Sequence, residues 1–198
     1  MLKAASLTMV CALALACADG APDPTGPLDV PLFLHGAGAS AMANGGNFGT
    51  PLSGGEEVPA RETRARGNAI FQLSADGMSL DYKLIAANIE NAFMAHIHLA
   101  PAGSNGGVVV WLYPSTTPGV TLPLGGGRID GVIATGTITA ANLTGGLAGQ
   151  PLSALIAQLT SGGAYVNVHT NDGVDPQNTG PGDFPGGEIR GQIEHRGH

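Results

Sequence analysis

"NAIFQLSADGMSLDYKLIAAN" (68–88) decides the fold. In its first seven residues Ala69, Phe71 and Leu73 share one face, and Asn68, Ile70 and Gln72 share the other. That two-residue period belongs to a strand and not to a helix. "ADG" (75–77) carries tight-turn chemistry. "SLDYKLIAAN" (79–88) then alternates again, with Leu80, Tyr82 and Leu84 on the apolar side. Two alternating runs joined by a short turn make an antiparallel hairpin.

The same signature recurs outward from the hairpin. Strands are predicted near 48–53, 92–99, 107–113, 131–139, 164–170 and 187–194, about eight in all with the hairpin pair. The chain holds 32 Gly and 14 Pro with only 12% charged residues, which suits short strands and tight turns better than long helices. A length of 198 residues fits one domain with a real core. The expected class is therefore all-β, an antiparallel sandwich or barrel. One segment departs from the pattern. "QPLSALIAQLTSGG" (150–163) spaces Leu152, Leu155, Ile156 and Leu159 as a helix does, with Pro151 at its start and Gly162 past its end. Residues 171–187 hold Asp172, Asp175 and Asp183, but not at EF-hand spacing, and read as a solvated, turn-rich loop.

The N-terminus points outward from the cell. Residues 1–17, "MLKAASLTMVCALALAC", have one basic residue, a short apolar run and small residues after it, the pattern of a secretory signal peptide. "ALAC" resembles a bacterial lipobox, with Cys17 as the lipidated residue and Ala14 where leucine is usual. Ordinary cleavage after Ala16 or Ala18 is the other reading. Residues 18–47 are rich in Ala, Gly and Pro and read as a tether; His35 lies there and is given no role. Both cysteines fall in the leader or at its end, so the folded part is held without a disulfide. The membrane enters only through the expected lipid anchor.

The formal net charge is -7, and such an acidic chain lacks the basic footprint that nucleic acid requires. The charge balance leaves the histidines as the notable chemistry. In "MAHIHL" (94–99) Ala95, Ile97 and Leu99 share one face, and Met94, His96 and His98 the other. In "YVNVHT" (165–170) Val166, Val168 and Thr170 face one way, and Tyr165, Asn167 and His169 the other. With the aliphatic faces inward, all three histidines point away from the core. The H-x-H pair sets two imidazoles about 6 to 7 Å apart at Cβ, within reach of one ion. His169 from a neighbouring strand completes a surface His₃ set suited to zinc or copper. The alternative is that the histidines hydrogen-bond loop backbone and hold the Gly-rich loops. The site requires that the two strands be neighbours, which their similar layout suggests.

Enzymatic readings are weaker. H-x-H on a β-sandwich is similar to copper/zinc superoxide dismutase, but two metals need more histidines and an Asp, and His195 and His198 lie in a charged tail. Ser104 and Ser115 lack a nucleophile-elbow context, and no carboxylate pair has general acid/base spacing.

"LSGGEEVPA" (52–60), "TRARGNAIF" (63–71), "LDY" (80–82), "AHIH", "GSNGGVVVWL", "YVNVHT" and "GEIRGQI" (187–193) occur in that order. The series resembles the CHRD domain, the module named after chordin and found in many exported bacterial proteins. The domain is expected over 48–195, and Ala60 departs from it where a second proline is usual. The resemblance implies an immunoglobulin-like β-sandwich and an exported setting. Chordin as a whole binds bone morphogenetic proteins, an activity the resemblance does not carry to a lone domain. Two motif charges, Glu57 and Arg190, are expected to form an ion pair linking the first and last strands. The expected role is binding at the cell envelope, without catalysis. It is either a metal protein using one copper or zinc ion at His96, His98 and His169, or a module for an unknown protein or glycan partner. The second reading expects an exposed apolar patch near Trp111 and Tyr113.

Overall fold

A computed structural model describes residues 46–197. The strands are β1 (Asn47–Ser53), β2 (Arg66–Leu73), β3 (Leu80–Glu90), β4 (Ala92–Leu99), β5 (Gly107–Tyr113), β6 (Arg128–Ile138), β7 (Ala164–Thr170), β8 (Ile189–Gln192) and β9 (Glu194–Arg196). Among the described residues one α-helix, α1 (Leu152–Thr160), lies between β6 and β7. All pairings are antiparallel, in the order β5-β4-β7-β8-β1-β2-β3-β6, with β9 added to β1. The expected all-β antiparallel class with one short helix is thus observed, in its barrel-like form as a single nine-stranded sheet. The expected signal peptide (1–17), Cys17 and all but the last two residues of the tether (18–47) lie outside the described residues.

The hairpin forms as its alternation dictates. Leu73 pairs with Leu80, Phe71 with Tyr82 and Ala69 with Leu84, and all six side chains are buried. Ile70, on the other face, is exposed. Phe48, Leu52, Ile97, Leu112 and Ile138 from the other strands fill the same core. The two ends of the strand order curl toward each other into a nearly closed barrel. The Tyr82 hydroxyl on β3 crosses the core and donates to the Leu112 carbonyl on β5 at 2.6 Å. A buried phenol needs such a partner, and here it ties β5, at one end, to β3, the strand next to the other end. Helix α1 buries Leu152, Leu155, Ile156 and Leu159 against this core.

Two expectations are corrected. The last strand is two short ones, broken at Ile193. Its buried side chain and its N–H, donated to the Ala164 carbonyl at 2.9 Å, mark where the chain leaves β7 and continues along β1 alone. The segment 171–187 is not a solvated loop throughout. Residues 173–179 are exposed, but Gly182, Asp183 and Phe184 are buried. The Glu188 carboxylate, fully buried, accepts from the Thr63 hydroxyl at 2.6 Å, the Thr170 hydroxyl at 2.7 Å and the Gly182 N–H at 2.9 Å. These charge-assisted bonds fold the loop back against β7.

Tyr82→Phe removes one buried hydrogen bond without changing the shape of the core. The variant should lose about 1 kcal/mol of stability in urea unfolding with an unchanged slope. A loss near zero would show that the β3–β5 closure does not depend on it.

Candidate functional site

Strands β4 and β7 are neighbours, as the histidine set requires. The register places Met94 opposite His169, His96 opposite Asn167 and His98 opposite Tyr165; β8 sets Arg190 opposite Asn167. Ala95, Ile97, Val166 and Val168 point into the core, so the histidines project from the outer face.

That face is not open surface, and here the sequence expectation is corrected. His96 is 2% exposed, His98 8% and His169 6%. Two loops roof them, and a histidine pins each loop. His98 Nδ1 donates to the Gly106 carbonyl at 2.9 Å, and His169 Nδ1 donates to the Pro185 carbonyl at 2.8 Å. Gly106 permits this close approach, because a Cβ there would collide with the Leu99 carbonyl.

These contacts fix the protons. A backbone carbonyl only accepts, so His98 and His169, when neutral, carry hydrogen on Nδ1 and a bare lone pair on Nε2. His96 Nδ1 lies 3.1 Å from His169 Nε2 and must therefore be the donor. Its own Nε2 is then bare as well. The Nε2 atoms of His96 and His98 are buried without any partner. One ligand atom from each of the three histidines lies within 4.8 Å of the other two. Unpaired buried acceptors are costly and rare in folded proteins, and with the His169 nitrogen beside them these two make a group that could hold a cation.

Burial also sets the charge. It pushes the His96 pKa down to about 3, with further lowering from His169 and His98. Burial pushes His169 down to about 4 and lowers His98 too. At neutral pH the trio is uncharged, the form in which imidazole binds metal. The surroundings hold the rings in place. Trp111 meets His96 edge-on at 4.2 Å. His98 stacks on Tyr165 at 4.8 Å, and the Arg190 guanidinium lies 3.4 Å from the centre of the Tyr165 ring.

The expected ion pair between Glu57 and Arg190 does not form. Among the described residues the salt bridge is Arg128–Asp130. Arg190 pairs in register with Ser53, four residues before Glu57, and its guanidinium is taken up by Tyr165, by Asn105 Oδ1 at 3.1 Å and by the Ser104 carbonyl at 2.8 Å. Glu57 is buried, and burial raises its pKa to about 7 against the opposing pull of Arg190 and then Arg61. The expected patch is also displaced. Tyr113 is buried and Trp111 half-buried, while Val120, Leu122, Leu124 and Val174 are the exposed apolar side chains near these loops. Asp172, Asp175 and Asp183 do not join a metal-type cluster among the described residues, and His195 packs on Phe48 instead.

A scan against protein families matches the CHRD domain over residues 48–193. The chain belongs to the CHRD domain family. Searches of curated proteins and of solved structures return no match. The CHRD match runs from the second residue of β1 to Ile193, so it contains the whole histidine site and both roofing loops. The family is of the binding-module kind. Within this CHRD domain the sequence reading passed over Asn167. Its signal was its place between Tyr165 and His169 on the outward face of an otherwise aliphatic strand.

The buried groups give a pH dependence with opposed signs. Unfolded, the histidines take up protons near pH 6.5, but folded His96 and His169 refuse them until about pH 3 and 4, so they withdraw stability as pH falls below 6.5. Glu57, raised from 4.5 to about 7, contributes stability that is present below 4.5 and is lost as pH rises through 7. Between pH 7 and 5 three lowered histidines oppose one raised carboxyl. The metal-free protein should melt at a lower temperature at pH 5 than at pH 7, and Glu57→Gln should widen the drop. Circular dichroism melts measure both; equal midpoints at the two pH values would contradict a neutral buried trio.

Proposed function

We propose that this CHRD protein binds one transition-metal ion, copper or zinc, through His96, His98 and His169. The observation that carries the reading is the pair of buried, unpartnered Nε2 atoms on His96 and His98 beside the third imidazole. Two of the rings are oriented by Nδ1–H bonds to backbone carbonyls, as metal-binding histidines generally are. Three neutral nitrogens without a thiolate suit zinc(II) and copper(II), and the general affinity order puts copper(II) first. The role is binding, in the sense of buffering, delivering or sensing an ion, and not catalysis.

The setting proposed is the cell envelope. It rests on the leader-like residues 1–17 and on Cys17 as a lipid attachment point, followed by the Ala-, Gly- and Pro-rich stretch to residue 47. Replacing Cys17 by Ser should move the protein from the membrane fraction to the soluble one. Retention in the membrane fraction would contradict lipidation.

A second reading is a module for a protein or glycan partner in which the histidines only clamp loops. The direct His96–His169 bond and the exposed Val120, Leu122, Leu124 and Val174 favour it. Titration of the untagged full chain with zinc or copper(II) separates the two. The metal reading expects one equivalent at about micromolar affinity or tighter, competed by chelator. It also expects that His169→Ala loses this binding while keeping its β-sheet circular dichroism. No stoichiometric uptake by the unaltered protein would remove the metal reading and leave the interaction module.

A further inference from the structure

Three histidines leave a four-coordinate ion one donor short. Among the described residues, five side chains besides the histidines have a buried, unpartnered polar atom: Glu57, Arg61, Asn167, Asp183 and Gln192. Arg61 can only donate, and Asp183 does not join the histidine set. Gln192 turns away, with its amide nitrogen spent on the Ala100, Gly162 and Ala164 carbonyls. Glu57 enters from the turn after β1 and reaches the face at Gly187. Asn167 alone lies inside the set: opposite His96 in register and two residues before His169 on the same face.

The orientation of its carboxamide follows from its other neighbour. Asn167 Nδ2 and Glu57 Oε1 approach the same side of Gly187, whose φ of +126° and missing Cβ leave the space they use. Nδ2 is thus the end of the carboxamide on the Glu57 side, and Oδ1 is the end left for the histidines. It is buried and has no donor, on a residue only 2% exposed. His98 Nε2, on the same outer face, is also a buried acceptor without a donor. Acceptors left bare together in a dry site favour a positive group placed between them.

From this we propose that Asn167 Oδ1 is the fourth ligand, so that the site is N₃O, with Glu57 as the residue that positions the carboxamide. The inference rests on the metal reading above and narrows the class of ion. An oxygen donor beside three imidazoles suits a divalent ion of borderline hardness, zinc(II), cobalt(II) or copper(II), over soft copper(I). Asn167 and Glu57 come from segments 110 positions apart in the chain, and Gly187 joins them.

The test uses cobalt(II) as the probe on the full, untagged chain, read by its visible d–d bands and by competition with zinc(II). The unaltered protein should bind one cobalt(II) with the intense bands of four-coordinate geometry. Asn167→Leu, close in size and suited to burial, should bind at least about tenfold more weakly and with altered bands. Equal affinity and identical bands in Asn167→Leu would overturn the assignment and leave the His₃ reading intact. Absence of cobalt and zinc binding in the unaltered protein would overturn both. A second measurement needs no variant. With ¹³C placed at the asparagine side-chain carbonyls, zinc(II) should shift the Asn167 Cγ resonance strongly, and an unmoved resonance on a zinc-loaded protein would likewise sink the fourth ligand.

Discussion

A neutral imidazole brings one donor and one acceptor, and burying three of them side by side forces every proton to be accounted for. The two carbonyls of Gly106 and Pro185 take the Nδ1 protons of His98 and His169. That leaves His169 with a lone pair, which His96 must serve, and His96 and His98 with lone pairs that nothing serves. The roofing loops bury the rings and so lower their basicity, and the bare lone pairs follow from this accounting. It also shows what an ion at His169 would do. It would need the lone pair of His169 Nε2, so it would have to displace the hydrogen bond from His96 Nδ1.

The sheet was legible because alternation is a local property. The run from Asn68 to Asn88 carries its own faces and its own turn, and α1 announces itself by a change of period from two to nearly four. The outward direction of the histidines was legible for the same reason. Their burial was not. It depends on what lies above the sheet, and that is set by bonds such as Glu188 to Thr63, which span 125 positions. A loop rich in Gly, Pro and Asp reads as solvated until a buried carboxylate is found to anchor it. The Glu57–Arg190 pairing failed in a related way. Opposite charges in neighbouring motifs suggest an ion pair, but Arg190 found a tyrosine face and loop carbonyls first.

The same residues serve fold and site at once. Tyr165 stacks between His98 and Arg190, and its hydroxyl accepts from the Gly106 N–H at 3.2 Å. Arg190 holds the loop from Pro101 to Asn105 while it caps Tyr165. One roof is therefore fastened by a histidine, a tyrosine and an arginine that touch one another in sequence. Such over-determination keeps a site in one geometry, which any ligand with strict coordination needs.

His96 and His169 are 73 positions apart, and only the pairing of β4 with β7 brings them together. Closing so long a loop is an entropic cost met late and all at once, not residue by residue. An unfolded chain therefore offers an ion the His96–His98 pair and little else. Whatever binds all three rings binds the finished sheet and hardly the precursor, so its whole affinity acts as a ratchet on folding.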